Sequence, residues 1–101
     1  MTFFDRGESA LYVVHKAGCE PFPIAVRGRD RWALCQLIDA GERGCTPIDN
    51  PAPRWSAYVH DLRKMGLPIE TIHERHTGAY PGTHGRYILK ATVRPIGEAK
   101  P

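Results

Sequence analysis

The stretch PRWSAYVHDLRKMGLPIETIHERHTGAYPGTHGRYILKATV, residues 53–93, decides the fold. Trp55, Val59 and Leu62 recur at i, i+4 and i+7, the spacing of one helical face, which predicts a helix over 54–65. Tyr58 and Met65 flank that inward stripe. The opposite face carries Arg54, Ser56, Ala57, His60 and Lys64. Gly66-Leu67-Pro68 stops the helix and restarts the chain as extended. Strands are expected over 69–75 and 86–93, the second with Tyr87, Leu89, Ala91 and Val93 alternating toward a core. Between them, 77–85 holds Gly78, Gly82, Gly85 and Pro81, too long for a tight hairpin turn and expected to stand out as a flexible tip.

Working outward, residues 1–9 show no periodicity and are expected to be frayed. Residues 11–15 and 22–26 are rich in β-branched and aromatic side chains and are expected to form a hairpin around a turn at 17–20. Pro21 and Pro23 cannot donate to a ladder, so the second strand belongs at a sheet edge. This hairpin, 10–27, either packs on the rest of the chain or offers its edge to a second copy, giving a homodimer. Asp30 is expected to cap a helix over 31–40, with Leu34, Leu37 and Ile38 inward and Gly41 in the left-handed position after it. Cys45-Thr46-Pro47-Ile48 is expected to be a short bridging strand or extended turn. Pro47, Pro51 and Pro53 leave room for at most one helical turn before the next helix. After Val93, residues 95–101 are expected to be a flexible tail.

With 101 residues there is room for one domain, here 1–101 with a core over 30–93. No apolar run has spanning length and no signal segment opens the chain, so a cytoplasmic protein without membrane contact is expected. Residues 54–94 carry seven Lys/Arg against three acids, whereas residues 1–53 carry six against seven. The positive charge therefore gathers on the helix and the hairpin after it, which fits an anionic partner. Three cysteines, Cys19, Cys35 and Cys45, are odd in number and contain no CxxC pair, which argues against a disulfide framework.

The segments LIDAGERGCTPID (37–49), RWSAYVHDLRKMG (54–66), LPIETIH (67–73) and GTHGRYIL (82–89) carry a family likeness, DLRKMGLPIET (61–71) most of all. Over 32–93, about three-fifths of its length, the chain resembles small winged helix-turn-helix proteins of bacteria and their phages. In that group the recognition helix ends in a similar Leu-Arg-x-x-Gly and the next strand opens with apolar-x-Thr. The resemblance implies an α+β fold: two main helices, a C-terminal β-hairpin wing and, in this chain, an added N-terminal β-hairpin. It also implies a module that binds double-stranded DNA, often a transcriptional regulator. The chain departs from the pattern at the scaffold helix, which the prolines shorten or abolish. Some winged helices dock proteins instead, which is the alternative function.

Catalytic signatures do not emerge. Gly82-Thr83-His84-Gly85 lacks the Lys and the helix of a phosphate loop. His73 and His76, three apart on a strand, point to opposite faces and cannot share an ion. Ser9 and Ser56 sit in no nucleophile elbow. The expectation is a non-enzyme without metal or cofactor. The expected DNA contacts are Arg54, Ser56, Ala57, His60 and Lys64 on the helix, with Tyr80, Thr83, His84 and Arg86 on the wing. Arg63 is expected to brace the helix, against an acid such as Asp61 or Glu70. Four of the five histidines fall in this half, so binding is expected to strengthen as pH falls.

Overall fold

The structure is a computed structural model that describes residues 9–47, 49, 54–76 and 82–96. In chain order it runs β1 (Ala10–His15), β2 (Phe22–Val26), α1 (Gly28–Ala40), a 3-10 turn (Gly41–Arg43), α2 (Trp55–Lys64), β3 (Ile69–His76), β4 (Gly82–Leu89) and β5 (Thr92–Pro95). Two sheets result: an antiparallel β2-β1-β5 sheet and the two-stranded β3-β4 hairpin.

Alternation puts Tyr12 and Val14 of β1 on one face and Leu11 and Val13 on the other. The first pair is buried with Ile24 and Val26 of β2, while Leu11 stays 51% exposed. β5 closes the other edge of β1 by pairing Val14 with Val93. These residues share one hydrophobic cluster with Ala33, Leu34 and Leu37 of α1 and with Trp55, Val59 and Leu62 of α2. The N-terminal hairpin thus packs within its own chain. Each large side chain so buried contributes roughly 1.5–3 kcal/mol.

Helix α2 is built as its spacing requires. Trp55, Tyr58, Val59 and Leu62 are buried, and Met65 packs half-buried against the same cluster. Gly66, at φ 103°, lets the chain turn past the Phe22 ring, and Leu67 N–H closes the helix end on Leu62 O at 3.2 Å. Trp55 meets Trp32 of α1 at 5.6 Å between ring centroids and stacks on Tyr87 of β4 at 5.9 Å. One indole therefore ties both helices to the hairpin.

Four expectations need correction. Helix α1 opens at Gly28, with Arg27 at the N-cap and no side-chain cap bond, so Asp30 lies in the first turn. Its carboxylate is favoured there by the helix dipole but sits beside Asp61 of α2. The expected strand over 86–93 is two strands. The chain bends at Lys90-Ala91, Lys90 N–H donates to Pro68 O at 2.8 Å, and β5 crosses to the other sheet. Tyr87, Leu89, Ala91 and Val93 all pack on the core, yet Ile88 on the opposite face is buried as well. The expected tip is shorter, because Gly82 to Gly85 already pair with β3. The tail begins later too: Pro95 belongs to β5 and Ile96 N–H donates to Leu11 O at 2.9 Å. The remaining expected loose ends, 1–8 and 97–101, and residues 77–81 of the tip lie outside the described residues.

Between α1 and α2 the 3-10 turn is the sole helical turn among the described residues. Cys45 follows it and bridges to Tyr87 through two backbone bonds of 2.9 and 2.8 Å. Gly44, at φ 75° and ψ 177°, makes this crossing possible. A Cβ there would stand 2.8 Å from both Ile88 Cγ1 and Tyr87 O. Gly44→Ala is therefore expected to destabilise the fold by about 3 kcal/mol, combining a glycine-only backbone with overpacking against main chain. Urea unfolding measures it; a loss under ~0.5 kcal/mol would mean the crossing is not that tight. Burial, and then the charge of Asp61, pushes the Asp30 carboxyl up to about 6 from 3.8. The folded state holds this proton better than the unfolded chain, so Asp30 favours folding below the unfolded value and loses that contribution as pH rises through about 6. Asp30→Asn should leave stability unchanged near pH 3 and raise it at pH 7 by about 1 kcal/mol, discounted for the group's partial solvation.

Candidate nucleic-acid interface

With Trp55, Tyr58, Val59 and Leu62 facing in, helical geometry turns Ser56, His60 and Lys64 outward, and all three are exposed. Ala57 is half-buried beside them, and Arg54 is exposed at the N-cap. Small residues lie toward the start of this face and a cation near its end, where Arg63 and Lys64 also complement the helix dipole. The two flanks of α2 differ. Tyr58 and Asp61 lean toward α1, as the Tyr58 contact with Arg29 and the pairing of Asp61 with Asp30 require. Arg63 leans toward β3, donating to Ile69 O at 3.1 Å from Nε and 2.6 Å from Nη2, and to Thr71 Oγ1 at 2.8 Å. Arg63 is thus a brace, as expected, but on main-chain and hydroxyl oxygens rather than on an acid.

The register of the β3-β4 hairpin sorts the cations by face. Residues directly opposed across antiparallel strands project to the same side. Ile72 with Arg86 and Glu74 with His84 share one face; Thr71 with Tyr87, His73 with Gly85 and Arg75 with Thr83 share the other. The second face adjoins α2, because Tyr87 stacks on Trp55 and Arg63 grips Thr71. Of the expected wing contacts among the described residues, only Thr83 lies there; it is exposed, in β4 rather than in the tip. Sequence reasoning passed over His73 and Arg75, both exposed on that face. The signal was strand parity combined with register, and the overlong tip hid the register. Tyr80 lies outside the described residues.

His84 and Arg86 face away from α2 and are engaged within the chain. Arg86 donates from Nε and Nη2 to the two oxygens of Glu74, the latter at 3.1 Å, and from Nη1 to Arg43 O at 2.7 Å. His84 Nε2 meets Glu74 Oε1 at 3.2 Å. The hydrogen bond from Arg86 above all, with His84 adding to it, holds the Glu74 carboxyl below the usual carboxylate range. This cluster joins both wing strands to the 3-10 turn and fixes the pitch of the hairpin.

Nothing in these contacts assembles a catalytic centre. Cys45 is fully buried, and burial pushes its thiol up to about 11, so it stays protonated at neutral pH. Among the described residues no group of three or more His, Cys, Asp or Glu gathers as a metal set, and no helix is long and apolar enough to cross a membrane.

A family model described as winged helix domain matches residues 23–99. The chain belongs to that family. The match reaches back into β2, so the N-terminal sheet lies partly inside the winged helix unit rather than wholly outside it. Searches of curated proteins and of solved structures return no match. Winged helix domains are in general non-catalytic DNA-binding modules, and this one pairs its second helix with a one-sided wing.

The Arg86 cluster sets a stability prediction. Arg86→Ala should lower the melting temperature at neutral pH, whereas an unbraced surface arginine would leave it unchanged. Because the Glu74 carboxyl titrates lower in the folded chain, the deficit should be largest above the ordinary carboxylate range and shrink as pH falls far enough to protonate Glu74 in both states, leaving the share carried by the Arg43 carbonyl. Equal melting temperatures for mutant and wild type at pH 7 would show that the brace carries no stability.

Proposed function

We propose that this winged helix domain is a non-catalytic module that binds double-stranded DNA. Its setting is that of a cytoplasmic transcriptional regulator, or of a bacterial phage or mobile-element DNA-binding protein. The observation that carries the proposal is the outward face of α2, small at one end and cationic at the other, set beside the exposed face of the wing. Ser56 and Ala57 let the helix approach a groove floor; Arg54, His60 and Lys64 meet base edges and phosphates. Thr83, together with His73 and Arg75, continues the contact along the wing, and Tyr80 is the candidate at its tip. His84 and Arg86 act one step back, by holding the wing through Glu74.

One observation favours the second reading, a protein-docking winged helix: Leu11 and Ile96 leave apolar surface exposed beside each other on the β2-β1-β5 sheet, at 51% and 38%. Salt separates the two. Fluorescence anisotropy on labelled random-sequence duplexes should give an affinity that falls with salt by a log–log slope of about −0.9 for each phosphate met. Lys64→Ala should weaken binding by about five-fold, reduce that slope by about one contact and leave the melting temperature unchanged. A flat salt response in the wild type, with Lys64→Ala indistinguishable from it, would sink the DNA reading and favour protein docking.

A further inference from the structure

The run Arg27-Gly28-Arg29-Asp30-Arg31-Trp32 places three arginines at the start of α1, the positive end of the helix dipole. Cations there work against the helix; Arg31 is half-buried and hydrogen-bonds to Tyr12, whereas Arg27 and Arg29 are exposed. The acid-rich balance of residues 1–53 hides this cluster in any count by halves.

Arg29 is held in a defined pose. Its guanidinium carbon lies 4.6 Å from the Trp32 ring centroid and 5.8 Å from that of Tyr58, and its Nε donates to Tyr58 Oη at 3.4 Å. No described residue accepts from its two terminal Nη groups, and the side chain is exposed. One face of the guanidinium is thus covered by an aromatic ring, one nitrogen is anchored, and the remaining fork opens to solvent. A planar fork fixed in this way loses little conformational freedom on gripping a bidentate oxyanion such as a phosphate.

Its place matters as much as its pose. Tyr58 is on the flank of α2 that faces α1, across the helix from the flank where Arg63 grips β3. Arg54, exposed at the N-cap of α2, precedes Tyr58 by one turn. A helix of about 10–12 Å diameter fills a major groove about 12 Å wide, so its two flanks lie near opposite backbones. The wing takes one backbone. We propose that Arg29, stacked on Trp32 and seconded by Arg54, is a preset phosphate fork for the other. This rests on the DNA-binding reading of α2. Asp30 and Asp61 share the seam, but both are half-buried and turned toward each other, leaving Arg29 and Arg54 as its exposed charges.

The test uses the full chain and labelled random-sequence duplexes over a salt series, with wild type, Arg29→Met, Arg29→Lys and Lys64→Ala. Met keeps packing on Trp32 without charge; Lys keeps the charge without the fork. Arg29→Met is expected to bind about five-fold more weakly, with the salt slope reduced by about one contact, and Arg29→Lys to lose about two-fold with its slope intact. Should Arg29→Met fold poorly, Arg29→Lys decides: a two-fold loss at unchanged slope supports the fork, and wild-type affinity overturns it. If Lys64→Ala weakens binding while both Arg29 variants match wild type, the fork is wrong and α2 remains the reader. If wild type itself shows no salt-dependent binding, the reading of α2 fails and takes the fork with it.

Discussion

The contact on which this structure turns is Trp55 between Trp32 and Tyr87. It is 3% exposed and lies in the first turn of α2, so it sets both the depth and the rotation of that helix. Aromatic pairs of this geometry contribute about 0.5–1.5 kcal/mol beyond area burial. Three elements remote in sequence converge on one side chain. Rotation of α2 by even one residue position would bury Ser56 or Lys64 and expose Val59 or Leu62, whose burial is nearly complete. The outward face is thus fixed by the inward one.

Charge in this fold divides into fastened and free. Arg63 is committed to Ile69 and Thr71, and Arg86 to Glu74 and Arg43. Both hold the wing to the helical body, one from each face of the β3-β4 ribbon. On the α2 face and the wing face beside it, Arg54, Lys64 and Arg75 are exposed, as are Arg27, Arg43 and Arg94 elsewhere, while Arg29 is pinned flat but open at its fork. A residue type that looks equally suited to phosphate throughout the sequence is therefore split by geometry into structure and surface.

Much of this was legible from residue order. The inward stripe of α2 and the N-terminal hairpin with Pro23 in its edge strand follow from local rules; the prolines at 51 and 53 lie outside the described residues. What failed was non-local. The chain changes sheets after Leu89 because Pro68 O captures Lys90 N–H, which no periodicity announces. The register of β3 on β4 decides which wing residues look toward α2, and a four-residue error in the length of the tip reversed the weight given to His84 and Arg75. The start of α1 was misplaced because Asp30 is a good capping residue, whereas Gly28 opened the helix earlier. Arg29 went unnoticed since its meaning depends on Trp32 and Tyr58 arriving from two helices.

The sheet order has a consequence for how the chain comes to its shape. β1, near the beginning, sits in the middle of its sheet, and its second neighbour is β5, the last strand. Val14 meets Val93 only after every element between them has been made. Such a distant pairing carries a loop-closure cost and slows folding relative to helix-only bundles. On a ribosome, the first hairpin must wait with one backbone edge unpaired until β5 emerges. Among the described strands, the first made is thus enclosed only by the last made.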